Sequence, residues 1–171
     1  MKTLFVLSVF AWLMTCWPGQ SPSLQKAGAW NVLPPSIDGI AAREVLEEVN
    51  ALRARGCNCP GGRRFAPTGP LHWDEKLEQA AQTHADDMSR RRYFSHTSKD
   101  GTIFSARISR AGYDWNVVGE NIAKGYPTAR AVVEGWRSSK DHCPNLLNPK
   151  FRDMGVGKTG PYWVQDLGAR H

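Results

Sequence analysis

The chain has 171 residues and a formal net charge of +6; 41% of its residues are hydrophobic and 22% are charged. This length is enough for one domain with a proper core but not comfortably for two, and the composition excludes disordered, collagen-like and coiled-coil proteins. The basic residues are accompanied by no nucleic-acid-binding motif, so we do not expect a nucleic-acid partner.

The first 17 residues are typical of an export leader. Lys2 gives a positive start, and the almost wholly apolar run from Leu4 to Met14 is too short for a transmembrane helix. Two interpretations stay open: a secretory signal peptide, or a lipoprotein leader with an imperfect lipobox and a lipid anchor on Cys16. We expect a secreted, periplasmic or cell-envelope protein that contacts a membrane only through the leader or that anchor.

After the leader, residues 18–36 contain Pro, Gly and Ser without periodicity and are interpreted as a linker. Residues 37–171 are interpreted as the folded domain. Its first helix is predicted from near Asp38 to just before Gly56, with one apolar stripe at Ala41, Val45, Val49 and Leu52. A second helix opens at Asp74 and places His84 on its apolar face, where a histidine is more often part of the core than a ligand.

The remaining chain predicts a third helix, an extended segment, a short helix and two strands, in that order, over residues 102–111, 119–123, 128–136, 152–158 and 162–167. Helices in the first part and strands at the end are typical of an α+β domain with antiparallel pairing near the C-terminus.

Three residues outside the apolar stripes are candidates for a functional site. His96 lies in a polar loop and belongs to no apolar stripe, so core packing does not explain a histidine there. Glu120 lies in a mostly apolar segment, and its burial requires a cation, a histidine or backbone donors nearby. His142 follows the end of the short helix and precedes Pro144, which we interpret as a break.

The contexts of these residues resemble the CAP superfamily, also called SCP, of cysteine-rich secretory proteins, antigen 5 and pathogenesis-related 1 proteins, and most of all its bacterial single-domain branch. The matching motifs are Leu71-His72-Trp73-Asp74, Phe94-Ser95-His96-Thr97-Ser98, Gly119-Glu120-Asn121-Ile122, Trp136 with His142, and Gly155-Val156-Gly157. The resemblance implies an α-β-α sandwich with a central antiparallel sheet between helical layers. It also implies a cleft containing His96, Glu120 and His142. Many eukaryotic members carry a second glutamate three residues after the tryptophan, where this chain has Ser139.

Two imidazoles and one carboxylate are a sound ligand set for zinc, with a position left open for water. The preferred hypothesis is a binding or interaction module whose cleft holds a divalent metal or a lipid, the ligand being a small molecule, a lipid or an envelope polymer. A metal-dependent hydrolase acting on cell-envelope material and a structural His/Glu cluster without a ligand are the alternatives. Catalysis is less expected because no nucleophile stands out and no His-Glu-x-x-His or Gly-x-Ser-x-Gly motif is present.

The chain contains four cysteines, at positions 16, 57, 59 and 143. Because an exported chain meets an oxidising compartment, we expect Cys143 to bond with Cys57 or with Cys59. Either bond would tie the end of the first helix to the loop carrying His142, and the remaining cysteine would be free or pair between chains. Zinc binding by the Cys-x-Cys segment is an alternative, although two thiols on one short loop give poor tetrahedral geometry.

Overall fold

The computed structural model describes residues 37–171. The predicted leader, linker and Cys16 anchor lie outside the described residues. The elements, in chain order, are α1 Ile37–Arg55, β1 Cys57–Asn58, β2 Arg64–Phe65, β3 His72–Trp73, α2 Glu75–Arg91, α3 Phe104–Arg110, β4 Val117–Lys124, α4 Ala129–Arg137, α5 Cys143–Leu147, β5 Asp153–Thr159 and β6 Tyr162–Ala169. Within residues 37–171, no helix combines the length and apolarity that a membrane span requires.

The main sheet has four strands in the order β3-β5-β6-β4. Strand β6 pairs antiparallel with both β5 and β4, and the short β3 pairs parallel with β5. Strands β1 and β2 form a separate antiparallel pair. The predicted α+β class with an antiparallel sheet is confirmed, and β4, which carries Glu120, lies at an edge of that sheet.

Helices cover both faces of the sheet. Because successive side chains of a strand point in opposite directions, one strand contacts both helical layers. Trp163 and Leu167 of β6 pack in the core cluster formed with α1, α4 and α5. Val164, between them in sequence, packs against Ala85 and Met88 of α2 on the other face. This arrangement confirms the sandwich of helices around a central sheet.

Helix α2 lies unusually close to β5 because two residues of that strand have no side chain. A Cβ atom on Gly155 would lie 2.0 Å from the backbone nitrogen of Glu78, and one on Gly157 would lie 2.3 Å from Cα of Gln82. The α2 backbone therefore packs directly on the strand. This contact fixes the position from which the loop carrying His96 leaves α2.

The helix ends follow the sequence in part. Asp74 and Thr128 cap α2 and α4 where the sequence predicts these helices to begin, each accepting hydrogen bonding from backbone N–H groups of the first turn. Helix α1 begins before Asp38, whose carboxylate instead pairs with Lys158. The sequence pattern does not predict helix α5, because Pro144 is typical of a break in a helix. That proline lies in the first turn of α5, where its missing N–H is not needed.

Candidate functional site

The centre of the site is the buried carboxylate of Glu120 on β4, whose side chain is 1% exposed. One oxygen accepts a hydrogen bond from Nδ1 of His96 at 2.7 Å. The other accepts one from the guanidinium of Arg107 at 2.5 Å. The structure therefore brings two of the three predicted site residues into direct contact and adds a cation that the sequence reasoning missed.

Arg107 joins three parts of the chain. From α3, its guanidinium donates to Glu120 on β4, and to the backbone oxygens of His96 and Thr102, both at 3.0 Å. The arginine is only 6% exposed, and burial of a charge at this depth is tolerable because Glu120 neutralises it. Ile103 falls inside the helix predicted over residues 102–111, but it precedes α3 and is 51% exposed.

The contact with Glu120 fixes the chemistry of the His96 ring. Because a carboxylate only accepts hydrogen bonds, Nδ1 of His96 donates the proton to Glu120, and in the neutral form of the ring Nε2 keeps its lone pair. The His96 side chain is 49% exposed. In that form, a nitrogen able to accept a proton, a hydrogen bond or a metal is available on an accessible ring.

A second carboxyl group, also missed in the sequence, lies beside Glu120. Asp166 on β6 is directly opposite Glu120 in the strand register and is fully buried. Among residues 37–171, neither oxygen of an Asp166 carboxylate has a hydrogen-bond donor. Burial, and then the charge of Glu120, raise the pKa of Asp166 well above its ordinary value, although Arg107 opposes this. A proton on Asp166 turns its contact with Glu120 into a hydrogen bond, which Asp166 donates to the Glu120 carboxylate.

His142 lies at the N-terminal end of α5 and is half-buried. Burial, and then the positive charge that His96 can carry, lower the pKa of His142, while Asp141 opposes this. The ring is therefore neutral at pH 7. Among residues 37–171 no hydrogen bond is made to that ring. The backbone oxygen of His142 accepts a hydrogen bond from the side chain of Asn121 on β4 at 3.5 Å, which holds α5 against the edge strand.

A cavity of about 250 Å³ opens beside His142. Its wall includes Phe94 and Tyr126, which are 48% and 36% exposed, and the side chains of Ile122 and Trp136. Lys124 also contributes to the wall. The cavity therefore combines apolar surface with one neutral imidazole and one cation.

A larger groove of about 380 Å³ lies between α2 and α3 and does not include His96 or His142. It is lined by polar side chains, among them Arg107 and His84. Nε2 of His84 lies 2.8 Å from the backbone oxygen of Ser95, and the residue is 1% exposed. His84 is therefore part of the packed structure, as the sequence predicted.

The donor set can be tested for its fit to a zinc ion. Both oxygens of Glu120 are taken by His96 and Arg107, and the guanidinium repels a cation at that position. Within the part of the chain that the structure describes, the ligand atoms of His96, Glu120 and His142 do not all lie within 4.8 Å of one another. As arranged, the three residues do not fit a three-ligand zinc centre, and zinc binding by the two imidazoles stays a prediction.

Ser139 is the hydroxyl residue that precedes His142, and its described contacts are structural. Ser139 occupies the position of the second family glutamate, and its hydroxyl oxygen accepts from the backbone N–H groups of Asp141 and His142 at 3.3 and 3.4 Å. This contact orders the turn before α5. Ser139 thus supports the backbone that positions His142.

The cysteines follow one of the two predicted pairings. Cys59 is bonded to Cys143 across 84 residues of sequence, and Cys57 is free among the described residues. Because Cys143 is the first residue of α5, the bond ties the segment after α1 to the residue next to His142.

Comparison with known proteins agrees with this architecture. The family model described as the cysteine-rich secretory protein family, CAP, matches residues 46–165. The uncharacterized membrane protein YlbC of Bacillus subtilis is 38% identical over 131 residues, which cover 77% of this chain and 35% of that protein. This chain thus spans about a third of that relative's length.

Two solved structures are similar over most of the domain. One is an extracellular protein containing an SCP domain from Bacillus anthracis, with a TM-score of 0.68 and 30% identity over 79% of this chain and 42% of that one. The other is an outer surface protein of Borrelia burgdorferi, with a TM-score of 0.60 and 25% identity over 77% of this chain and 91% of that one. The match to the family model, the fold and the shared motifs show that this chain belongs to the cysteine-rich secretory protein family, the CAP family.

Proposed function

We propose that the domain is a secreted or envelope-associated binding module whose cavity beside His142 holds an amphipathic, lipid-like ligand. His96 and Glu120 do not line that cavity. The cavity beside His142 is the observation that supports this proposal. Two exposed aromatic side chains, Phe94 and Tyr126, flank it. Exposed aromatic groups around a concave site favour a ligand with an apolar part.

The polar side of the same cavity favours an anionic head group. Lys124 lines the cavity and supplies a positive charge. The neutral ring of His142 can donate one hydrogen bond, and no protein group within residues 37–171 uses it. A single-chain fatty acid, with its tail against Phe94 and its carboxylate near Lys124, satisfies both sides of the cavity.

The proposal can be tested by calorimetric titration with octanoate. We expect Phe94→Ala to weaken binding about tenfold, because part of a phenyl group no longer covers the ligand. Lys124→Gln should weaken octanoate binding and leave binding of the uncharged 1-octanol unchanged. Ile40→Ala is the matched control, since Ile40 is 49% exposed and lies on α1, away from the cavity wall. Equal binding by the parent and Phe94→Ala would contradict the proposal.

Metal binding is a second proposal for the same two imidazoles. Nε2 of His96 is unoccupied by protein donors, and His142 is neutral at pH 7, which are the states a zinc ligand requires. Zinc titration of the parent and of a folded His96→Ala/His142→Ala variant separates this proposal from the lipid one. Binding that survives the double substitution would rule out the two imidazoles as the metal site.

Hydrolysis is the alternative that one further contact favours. The 2.7 Å contact between Glu120 and Nδ1 of His96 orients the ring as in general-base sites, with Nε2 free to take a proton from water. This alternative predicts that His96→Gln abolishes turnover of a short-chain ester at unchanged thermal stability. Turnover that persists in His96→Gln would exclude it.

A further inference from the structure

Three sulfur atoms meet outside the His/Glu cleft. The Sγ atoms of Cys57, Cys59 and Cys143 all lie within 4.8 Å of one another. Cys59 and Cys143 form the disulfide, and Cys57 is the free thiol beside it. A thiol this close to a disulfide needs only a small movement to attack it.

The three sulfurs differ in their access to solvent. Cys59 is 3% exposed and Cys143 is 0% exposed, so a dissolved reagent does not reach their bond in the folded domain. Cys57 is half-buried and lines a surface recess of about 520 Å³. Since exchange requires contact between the reacting sulfurs, Cys57 is the member of the cluster that external reagents meet first.

The local backbone decides which bond Cys57 can form. Cys57 begins β1 and Cys59 follows that strand directly, so the two side chains lie on one side of an extended segment. Two residues of extended chain separate Cα atoms by about 6.6 Å, near the upper limit for a disulfide. A Cys57–Cys59 bond is therefore disfavoured, and Cys143 is the partner for both.

We propose that Cys57 is the thiol through which small disulfides and thiols make and break the buried Cys59–Cys143 bond in the folded domain. In the oxidising direction, the Cys57 thiolate attacks a disulfide RSSR, forms Cys57–S–S–R and releases one RS⁻. The Cys143 thiolate then attacks the Cys57 sulfur and releases the second RS⁻. Finally the Cys59 thiolate attacks the Cys143 sulfur and releases Cys57. Two cysteine thiols lose two electrons and two protons, and RSSR becomes two RSH.

The surroundings of Cys57 favour an acidic reagent. Arg55 and Arg64 line the recess, and none of the described residues in its wall is acidic. A further guanidinium, that of Arg137, is near the Cys57 side chain. Glu134 first, and then Cys57, raise the pKa of Arg137. Cationic walls raise the local concentration of an anionic reagent and lose that effect in salt. The reagent class is therefore a small, negatively charged thiol or disulfide.

Reduction of the folded protein tests the proposal. The oxidised full chain, carrying Cys16→Ser so that three cysteines remain, is treated with glutathione, and the Cys59–Cys143 bond is followed by alkylation and mass spectrometry. We expect Cys57→Ser, with unchanged melting temperature, to slow this reduction about tenfold or more. In urea, where every sulfur is accessible, the parent and Cys57→Ser should react at equal rates. Equal rates in the folded proteins would overturn the proposal.

Two further measurements test the relay and the reagent class. In Cys59→Ser, made under oxidising conditions, Cys57 and Cys143 should be found bonded to each other; two free thiols, or only a glutathione adduct on Cys57, would contradict the relay. The Arg64→Gln substitution should also slow reduction of the Cys59–Cys143 bond by glutathione more than reduction by cysteamine, which is cationic. Equal losses for both reagents would refute the preference for an acidic one.

Discussion

The pairing of Glu120 with Arg107, beside the second acid Asp166, can be tested by a cycle of two substitutions. Glu120→Gln removes the carboxylate that neutralises Arg107. Asp166→Asn replaces a carboxyl group whose pKa is raised with a neutral amide of the same shape. Both residues are buried. Burial, and then the charge of Glu120, raise the pKa of Asp166, and the charge of Arg107 opposes this, so Arg107 acts on both acids.

The expected free energies follow from which acid carries the charge. Leaving a buried arginine without any carboxylate costs about 3 to 5 kcal/mol. In Glu120→Gln, Asp166 can ionise and replace the lost charge, so we expect a loss of only about 1 to 2 kcal/mol. Asp166→Asn alone should change stability by about 1 kcal/mol or less, because a neutral group replaces a neutral group. The double variant has no carboxylate beside Arg107 and should lose the full 3 to 5 kcal/mol, about 10 °C or more in melting temperature.

Urea unfolding followed by tryptophan fluorescence measures the four proteins of this cycle at pH 7. The account predicts that the loss in the double variant exceeds the sum of the two single losses by about 1 to 2 kcal/mol. Additive losses, within about 0.5 kcal/mol, would refute the expectation that Asp166 ionises in place of Glu120. They would show that Asp166 does not respond to the removal of Glu120.

Three further predictions concern the disulfide, the sheet and pH. Cys143→Ser should destabilise the domain by up to about 4.5 kcal/mol in urea, because the bond closes a loop of 84 residues; a loss below about 1 kcal/mol would contradict this. Gly155→Ala should cost about 3 kcal/mol or more because its Cβ would meet the α2 backbone, whereas Gly69→Ala, with open space around it, should stay within about 0.5 kcal/mol in the same assay. The folded state lowers the pKa of His142 and of His84, so the unfolded chain binds more protons and stability falls as pH drops through 6.5. His142→Gln should therefore have a shallower fall in melting temperature between about pH 7.5 and pH 5.5 than the parent, and an unchanged slope would count against the burial of that ring.

The sequence predicts those features of the fold and the site that local patterns and family motifs determine. Helices α2 and α4 begin where predicted because the caps Asp74 and Thr128 act within a single turn. His84 was correctly assigned to the core from its place on an apolar stripe. The family motifs predicted the sandwich, and the structure brings His96 against Glu120 as their shared context implied.

The rest depended on contacts across the fold. No motif marks Arg107 in the sequence, and only the approach of α3 to β4 gives it a buried partner. Asp166 lies in a strand pattern where its burial depends on register: it faces Glu120 only because β6 pairs with β4 as it does. The choice between Cys57 and Cys59 for Cys143 likewise depends on where the segment after α1 lies, which no local pattern determines.

The cavity at Phe94, Tyr126 and His142 is the proposed ligand site. Two-dimensional NMR of the full chain during octanoate titration tests it most directly. The account predicts saturable shifts of the Phe94 and Tyr126 amides and of the His142 ring, with the groove between α2 and α3 unaffected. Shifts confined to residues of that groove, such as Thr83 and Arg110, or no saturable shift at all, would contradict it.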